Sequence, residues 1–245
     1  MAADPAYAGG VPLARRIAAE ALGTAFLLAI VVGSGIMGEQ LAGGNVALAL
    51  LANSLATGTG LAALILTFGP VSGAHFNPVV TLADAANGLL PWDEASFYMA
   101  AQILGAFVGV AAAHLMFGEP LFTASQHLRF GLAQWWAEFV ATFGLVCVIW
   151  SCARSRPQAI PFAVGAYITA AYWFTASTSF ANPAVTLARA ATDTFSGIRP
   201  ADTPWFIVAQ LLGGAGAFAV MRWLMPAAAV RPSEVIAPRE GQPED

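Results

Sequence analysis

Apolar residues run along this chain in blocks of about 20, the length that crosses the hydrocarbon core of a bilayer as a helix. The blocks fall at residues 17–37, 46–68, 97–117, 132–152, 159–180 and 204–225, and predict six transmembrane helices. Two shorter stretches, 76–90 and 181–198, break the pattern between the second and third blocks and between the fifth and sixth. Each contains the same words. The first reads Asn77-Pro78-Val79-Val80-Thr81-Leu82-Ala83 and the second Asn182-Pro183-Ala184-Val185-Thr186-Leu187-Ala188. Asn is a strong helix N-cap, and Pro suits the first helical position, where its missing N–H costs nothing. Each stretch is therefore expected to open a helix too short to span the membrane.

The repetition extends beyond these boxes. Glu20 and Thr24 in the first block match Glu138 and Thr142 in the fourth, and Ala101-Gln102-Ile103-Leu104-Gly105 matches Ala209-Gln210-Leu211-Leu212-Gly213. The chain thus reads as two halves, 15–117 and 132–226, each of three spans and one short helix. Three is odd, so the second half inserts upside down relative to the first. Paired interrupted segments in inverted halves point to a site at the membrane midplane.

Composition agrees with this class: 58% of residues are hydrophobic and 10% charged, against about 25% charged in soluble domains. The net charge of −4 carries little information, because it comes mostly from the ends: within residues 15–226 nine acids stand against eight arginines. Residues 1–14 and 227–245 read as a flexible lead and a disordered tail around a single channel domain, 15–226. Cys147 and Cys152 sit five residues apart on one apolar block, awkward for a disulfide and ordinary for small buried hydrophobes. Arg15 and Arg16 precede a long apolar run with no prompt cleavage site, so no cleavable signal peptide is expected. Arg15, Arg16, Arg154, Arg156 and Arg222 outnumber Arg129, Arg189 and Arg199 on the opposite side, which places both termini in the cytoplasm.

Two half-helices dipping from opposite faces would meet near the midplane at their N-termini. The positive ends of their dipoles would face each other there, an arrangement hostile to cations and protons. The amides of Asn77 and Asn182 could donate to a molecule passing between them; the plainer reading makes each Asn only a helix cap. Glu20 and Glu138 are intramembrane carboxylates, readable as proton relays or as acceptors that brace a re-entrant loop. His75 is readable as a pH sensor or as a loop-bracing, pore-lining hydrogen bonder on the approach to the midplane. No Ser/His/Asp, Cys/His or metal-ligand spacing converges on the spans. The expectation is a passive channel without enzyme activity, metal, cofactor or nucleic-acid partner, with a coupled secondary transporter as the alternative.

With both Asn-Pro boxes, the Glu-x-x-x-Thr pair and Ser72-Gly73-Ala74-His75-Phe76-Asn77, residues 15–225 resemble the aquaporin (major intrinsic protein) family. The resemblance implies an all-α membrane fold of six tilted helices and two re-entrant half-helices, with one pore per subunit of a homotetramer. Members of the family pass water, glycerol or other small neutral solutes without a cofactor. Two departures stand out. Val79 occupies the place of the usual Ala in the first box. Val185 occupies the place of an Arg at the narrowest outer constriction, and Thr178 that of a Gly. Gapless placement around each Asn puts the other filter positions at Thr57, Ala170 and Ser179. That ring would be wide, uncharged and poor in donors, unlike a water-only filter. Bacterial relatives lacking the Arg include channels associated with arsenic resistance, and the chain resembles that branch. Arg189, one helical turn beyond Val185, is expected either to put positive charge in the outer vestibule or to anchor loops.

Overall fold

The computed structural model describes residues 10–225. Most of the expected lead and all of the expected tail lie outside the described residues, and Leu13 and Ala14 already belong to the first helix. The first repeat comprises α1 (Leu13–Leu41), α2 (Val46–Ser72), the short α3 (Pro78–Ala86) and α4 (Trp92–Phe117). The second comprises α5 (Leu132–Ser155), α6 (Ile160–Phe174), the short α7 (Pro183–Arg189) and α8 (Thr203–Leu224). This is the all-helical, inverted-repeat membrane fold that the sequence predicts.

Local chemistry sets the helix ends. Asn45 caps α2 by accepting from Leu48 N at 3.2 Å. Gly73 and Gly118, with φ of 88° and 70°, close α2 and α4 in the left-handed conformation that glycine adopts without strain. Within each repeat the first long helix packs on the other two, α1 on α2 and α4, α5 on α6 and α8. The matched glycines make this approach possible. A Cβ at Gly105 would lie 2.2 Å from the Ala21 carbonyl oxygen, and one at Gly213 would lie 2.4 Å from that of Phe139. Each contacted residue directly follows one of the paired glutamates, so helix contact and buried carboxylate are built from the same repeated words. Between repeats, α2 meets α6 at Gly58 and Gly165, where neither position has room for a side chain.

The span expected at 159–180 differs from the others. Its helix α6 has 15 residues, preceded by a 3₁₀ turn, Pro157–Ala159, and rises only about 22 Å. The five other long helices are long and apolar enough to cross a membrane. The chain leaves α6 at Thr175 and continues as irregular backbone to Asn182, with Thr178, Ser179 and Ala181 at positive φ. Such backbone survives at membrane depth only when protein covers it, and Ser177, Ser179, Phe180 and Ala181 are all buried.

Buried polar groups sit within the apolar core, and the outward surface is rich in large apolar side chains. Glu20, Glu138, Gln102 and Gln210 are fully buried, whereas Phe26, Leu104, Leu132, Trp136, Phe162 and Trp223 face outward, as suits a surface bathed in hydrocarbon. The starts of α1 and α4 share one face, joined by Arg16 and Glu94 at 2.7 Å. The ends of α5 and α8 share a face as well, joined by Arg154 and the Met225 carbonyl. The end of α3 joins the two: Ala85 and Leu90 pack with Leu13, Ile17 and Tyr98, and Asp84 lines an opening with Arg154 and Arg222; this face is termed proximal and the opposite one distal.

Candidate functional site

Asn77 caps α3 by accepting from Val79 N at 3.0 Å, and Asn182 caps α7 by accepting from Ala184 N at 3.0 Å and Val185 N at 3.3 Å. Each amide then reaches into the other repeat. Asn77 Nδ2 donates to the Ala181 carbonyl at 2.8 Å, and Asn182 Nδ2 donates to the Phe76 carbonyl at 2.7 Å. The acceptor is in each case the residue before the other Asn. The two half-helices therefore meet N-terminus to N-terminus, locked by a reciprocal pair of bonds. Each amide keeps one N–H without a partner among the described residues, and both asparagines line one cavity.

The loops before the boxes carry matching strain. Ala74 and Phe76, three and one residues before Asn77, have φ of 52° and 50°; Ser179 and Ala181, at the same offsets from Asn182, have 51° and 49°. A non-glycine residue held in this region costs about 1–3 kcal/mol. The buried glutamates offset it. Glu20 accepts from Ser72 Oγ, His75 N, Phe76 N and Gln102 Nε2 at 2.6–3.0 Å. Glu138 accepts from Phe180 N, Ala181 N and Gln210 Nε2 at 2.6–2.9 Å. These are charge-assisted bonds, roughly twice as strong as neutral ones. Gln102 and Gln210 also donate to Thr81 and Thr186, whose hydroxyls donate to the Asn77 and Asn182 carbonyls. Neither glutamine was singled out from the sequence as a site residue, although both stand in the repeated Ala-Gln-x-Leu-Gly words.

The cavity, ≈ 150 Å³, follows α6 from Ile160 to Tyr172, about 18 Å of helix. At the proximal face it shares Val80, Asp84, Leu89, Ile149 and Ala153 with a wider opening of ≈ 600 Å³. His75 stands on its wall with Nδ1 3.1 Å from Thr81 Oγ1 and Nε2 3.0 Å from Asp84 Oδ2, so the ring is held at both nitrogens. Of the Asn77-Pro78-Val79 and Asn182-Pro183-Ala184 triplets only the two asparagines reach the wall; Pro78, Val79, Pro183 and Ala184 are buried in the packing behind it.

Of the four filter positions expected from the sequence, Thr57, Ser179 and Val185 line the distal part of the cavity, and Ala170 does not. Ala170 is on an exposed face of α6. Residues 164, 168 and 172 repeat every four positions along the face that meets the cavity, and Ala170 lies two residues off that stripe, on the far side of the helix. Tyr172 stands there instead, its hydroxyl 3.2 Å from Thr57 Oγ1. The distal wall therefore includes an aromatic ring, and is less open than a ring of Thr, Ala, Ser and Val.

Arg189 is buried and lines the same cavity. Its Nε donates to the Ser196 carbonyl, and its guanidinium carbon lies 3.3 Å from the Phe180 ring centroid. A second arginine comes from the connection between α4 and α5. Arg129 Nε donates to the Gly197 carbonyl at 2.8 Å and Nη1 to the Ser177 carbonyl at 3.1 Å, and its guanidinium carbon is 5.0 Å from the Phe180 centroid. Burial pulls the Arg129 guanidinium down to about 10, against Glu138 and Tyr172, which raise it. Burial likewise lowers His127, and Arg129 and Arg189 lower it further.

Two inverted repeats, locked tip to tip around a cavity that follows the membrane-crossing helices, define a transmembrane channel. The chain belongs to the major intrinsic protein family, whose pattern matches residues 9–170 and again 154–242. Aquaglyceroporin AqpS of Rhizobium meliloti (strain 1021) is 56% identical over 213 residues, covering 87% of this chain and 91% of that protein. Aquaporin NIP6-1 of Arabidopsis thaliana is 29% identical over 242 residues, 94% of this chain and 73% of that protein. The X-ray structure of the aquaglyceroporin from Plasmodium falciparum superposes with a TM-score of 0.67 at 21% identity, covering 86% of this chain and 96% of that one, a likeness of fold. The protein is an integral membrane channel for small neutral solutes, and not an enzyme.

Proposed function

We propose that this channel conducts glycerol- and urea-sized solutes, neutral arsenic hydroxides and water, through a constriction formed by Thr57, Tyr172, Ser179 and Val185. Val185 carries the reading. It lines the distal cavity with a short branched side chain, where an arginine would project five fixed donors and fill the gap. The name of the aquaglyceroporin that is 56% identical supports glycerol as a solute. Asn77 and Asn182 offer one free N–H each at the midplane, and the facing dipoles of α3 and α7 oppose protons and cations. Arg189 adds positive charge at the distal mouth. Glu20 and Glu138 act as loop braces, because their oxygens already serve backbone and side-chain donors; a proton relay has no free carboxylate to use.

The arginine bias supports a cytoplasmic proximal face. With a bacterial relative among the matches, that describes an inner-membrane protein with both termini cytoplasmic, and we read its assembly as a homotetramer with one pore per subunit. The test is stopped-flow swelling of proteoliposomes with water, glycerol, urea and arsenite. Wild type should pass all four, and Val185→Arg should sharply lower the flux of the larger solutes. Equal fluxes through both proteins would refute a filter opened by Val185.

A further inference from the structure

The connection from α4 to α5, residues 118–131, is sewn across the distal mouth. Ser125 N donates to the Ala190 carbonyl at 3.0 Å, Gln126 N to Asp193 Oδ1 at 2.8 Å, and Arg129 N to Asp202 Oδ2 at 2.9 Å. Arg199 N returns a bond to the His127 carbonyl at 2.7 Å. Every one of these partners lies in the segment that follows α7. The connection ends by delivering one long side chain inward, that of Arg129.

That side chain meets the most strained part of the distal wall. Thr178 has φ of 61°, a conformation in which a β-branched residue is an outlier; Gly73, at the equivalent offset in the first repeat, has 88°. Glu138 braces Phe180 and Ala181 but does not reach Ser177 or Thr178. Arg129 does: its Nη1 donates to the Ser177 carbonyl and lies 3.5 Å from Thr178 Oγ1. Among the described residues its guanidinium has carbonyl, hydroxyl and ring partners but no carboxylate bonded to it. It stands with Arg189 over the Phe180 ring. Two cations thus flank the channel's distal end, one on the cavity wall and one just behind it. The buried carboxylate of Glu138, engaged by three donors, is a counter-charge that acts on Arg129.

Resting on the channel reading above, we propose that Arg129 is a positioning and charge-setting residue of the distal constriction. It holds residues 177–181 in their left-handed path and doubles the positive charge beside Phe180. The distal mouth then rejects cations and favours solutes rich in acceptor oxygens, although Arg129 itself does not touch them. Its charge and its bracing are separable by substitution. Arg129→Gln keeps amide donors and loses the charge; Arg129→Lys keeps the charge and loses the planar fork.

The experiment measures sodium conductance in planar bilayers alongside glycerol and urea flux in proteoliposomes, on full-length protein reconstituted at matched density. Wild-type glycerol flux tests the channel reading by itself. Arg129→Gln should raise sodium conductance on the order of tenfold, the effect of one unit charge a few ångströms from a path of intermediate dielectric, while Arg129→Lys stays near wild type. Both should shift the glycerol-to-urea flux ratio. Thr178→Gly, which removes the strain, should restore that ratio in Arg129→Gln without restoring cation exclusion. Wild-type conductance and flux ratio in Arg129→Gln would overturn the proposal. Should Arg129→Gln fail to fold, the Arg129→Gln/Thr178→Gly protein gives the same conductance readout, and wild-type sodium exclusion there would overturn the charge role.

Discussion

Val79 fills the space that Gly214 leaves open: a Cβ on Gly214 would lie 2.3 Å from Val79 Cγ1. The bulkier third residue of the first box is thus accommodated by α8, and the cavity wall is untouched. Gly214→Ala should destabilise the protein by about 1–3 kcal/mol, the usual cost of overpacking, and Val79→Ala in the same chain should recover most of it. Thermal unfolding in detergent of the two single variants and the double variant gives the coupling energy. Additive effects would mean that the pair does not share one space.

Glu138→Gln should lower stability by about 1.5–3 kcal/mol, the worth of a hydrogen bond to a charged group. It leaves one of the Phe180 and Ala181 N–H groups facing an amide that cannot accept at both ends. Flux of water and glycerol should fall together, without acquiring or losing any dependence on a proton gradient. Proteoliposome swelling with and without an imposed pH gradient checks this. Abolition of a gradient-dependent component by the variant would revive the proton-relay reading.

Much of this site was legible in the sequence because it is written twice. The repeated Asn-Pro and Glu-x-x-x-Thr words fix which groups face each other once the halves are inverted, and the reciprocal bonds of Asn77 and Asn182 follow that symmetry. Legibility failed where the repeats diverge. Placing Ala170 by gapless counting back from Asn182 assumes the helix and loop lengths usual in the family. In this chain α6 stops at Phe174 and seven residues of irregular backbone precede Asn182, and the helix face presented to the cavity carries Tyr172 instead. Arg129 was hidden for another reason. It lies in a connection with no counterpart in the repeat, and its role depends on contacts 48 to 73 residues away.

The corrected wall makes its own prediction. Tyr172→Ala should raise flux of larger polyols relative to water severalfold, because it removes both the ring and the hydroxyl paired with Thr57 from the narrow end. Ala170→Phe, on the exposed face, should leave the solute order unchanged. Stopped-flow swelling with glycerol, erythritol and water distinguishes the two positions. A change in solute order from Ala170→Phe and none from Tyr172→Ala would return the filter to residue 170.

Cation exclusion should depend on pH in two separate limbs. The charged and titratable groups around the distal mouth include Arg129, Arg189, Arg199, His127, Tyr172, Glu39, Glu138, Asp193 and Asp202, with Asp202 bonded to Arg199 at 2.7 Å. Arg129 is pulled down to about 10, so it is cationic below that pH and loses its charge above it; sodium conductance should rise as pH passes 10. His127 is lowered from 6.5 by burial and by Arg129 and Arg189. It is therefore neutral at pH 7 and gains charge only in acid, where sodium conductance should fall further. Loss of fold through Arg129 itself does not mimic the alkaline limb. Its folded value lies below its unfolded one, so above about 10 the unfolded chain binds more protons and stability rises with pH. For His127 the same sign makes stability decline as pH falls below 6.5, so acid measurements need a matched unfolding control. Arg129→Gln should erase the alkaline limb and keep the acid one. An alkaline limb that persists in Arg129→Gln would assign the titration to another group and remove Arg129 from the account of charge selectivity.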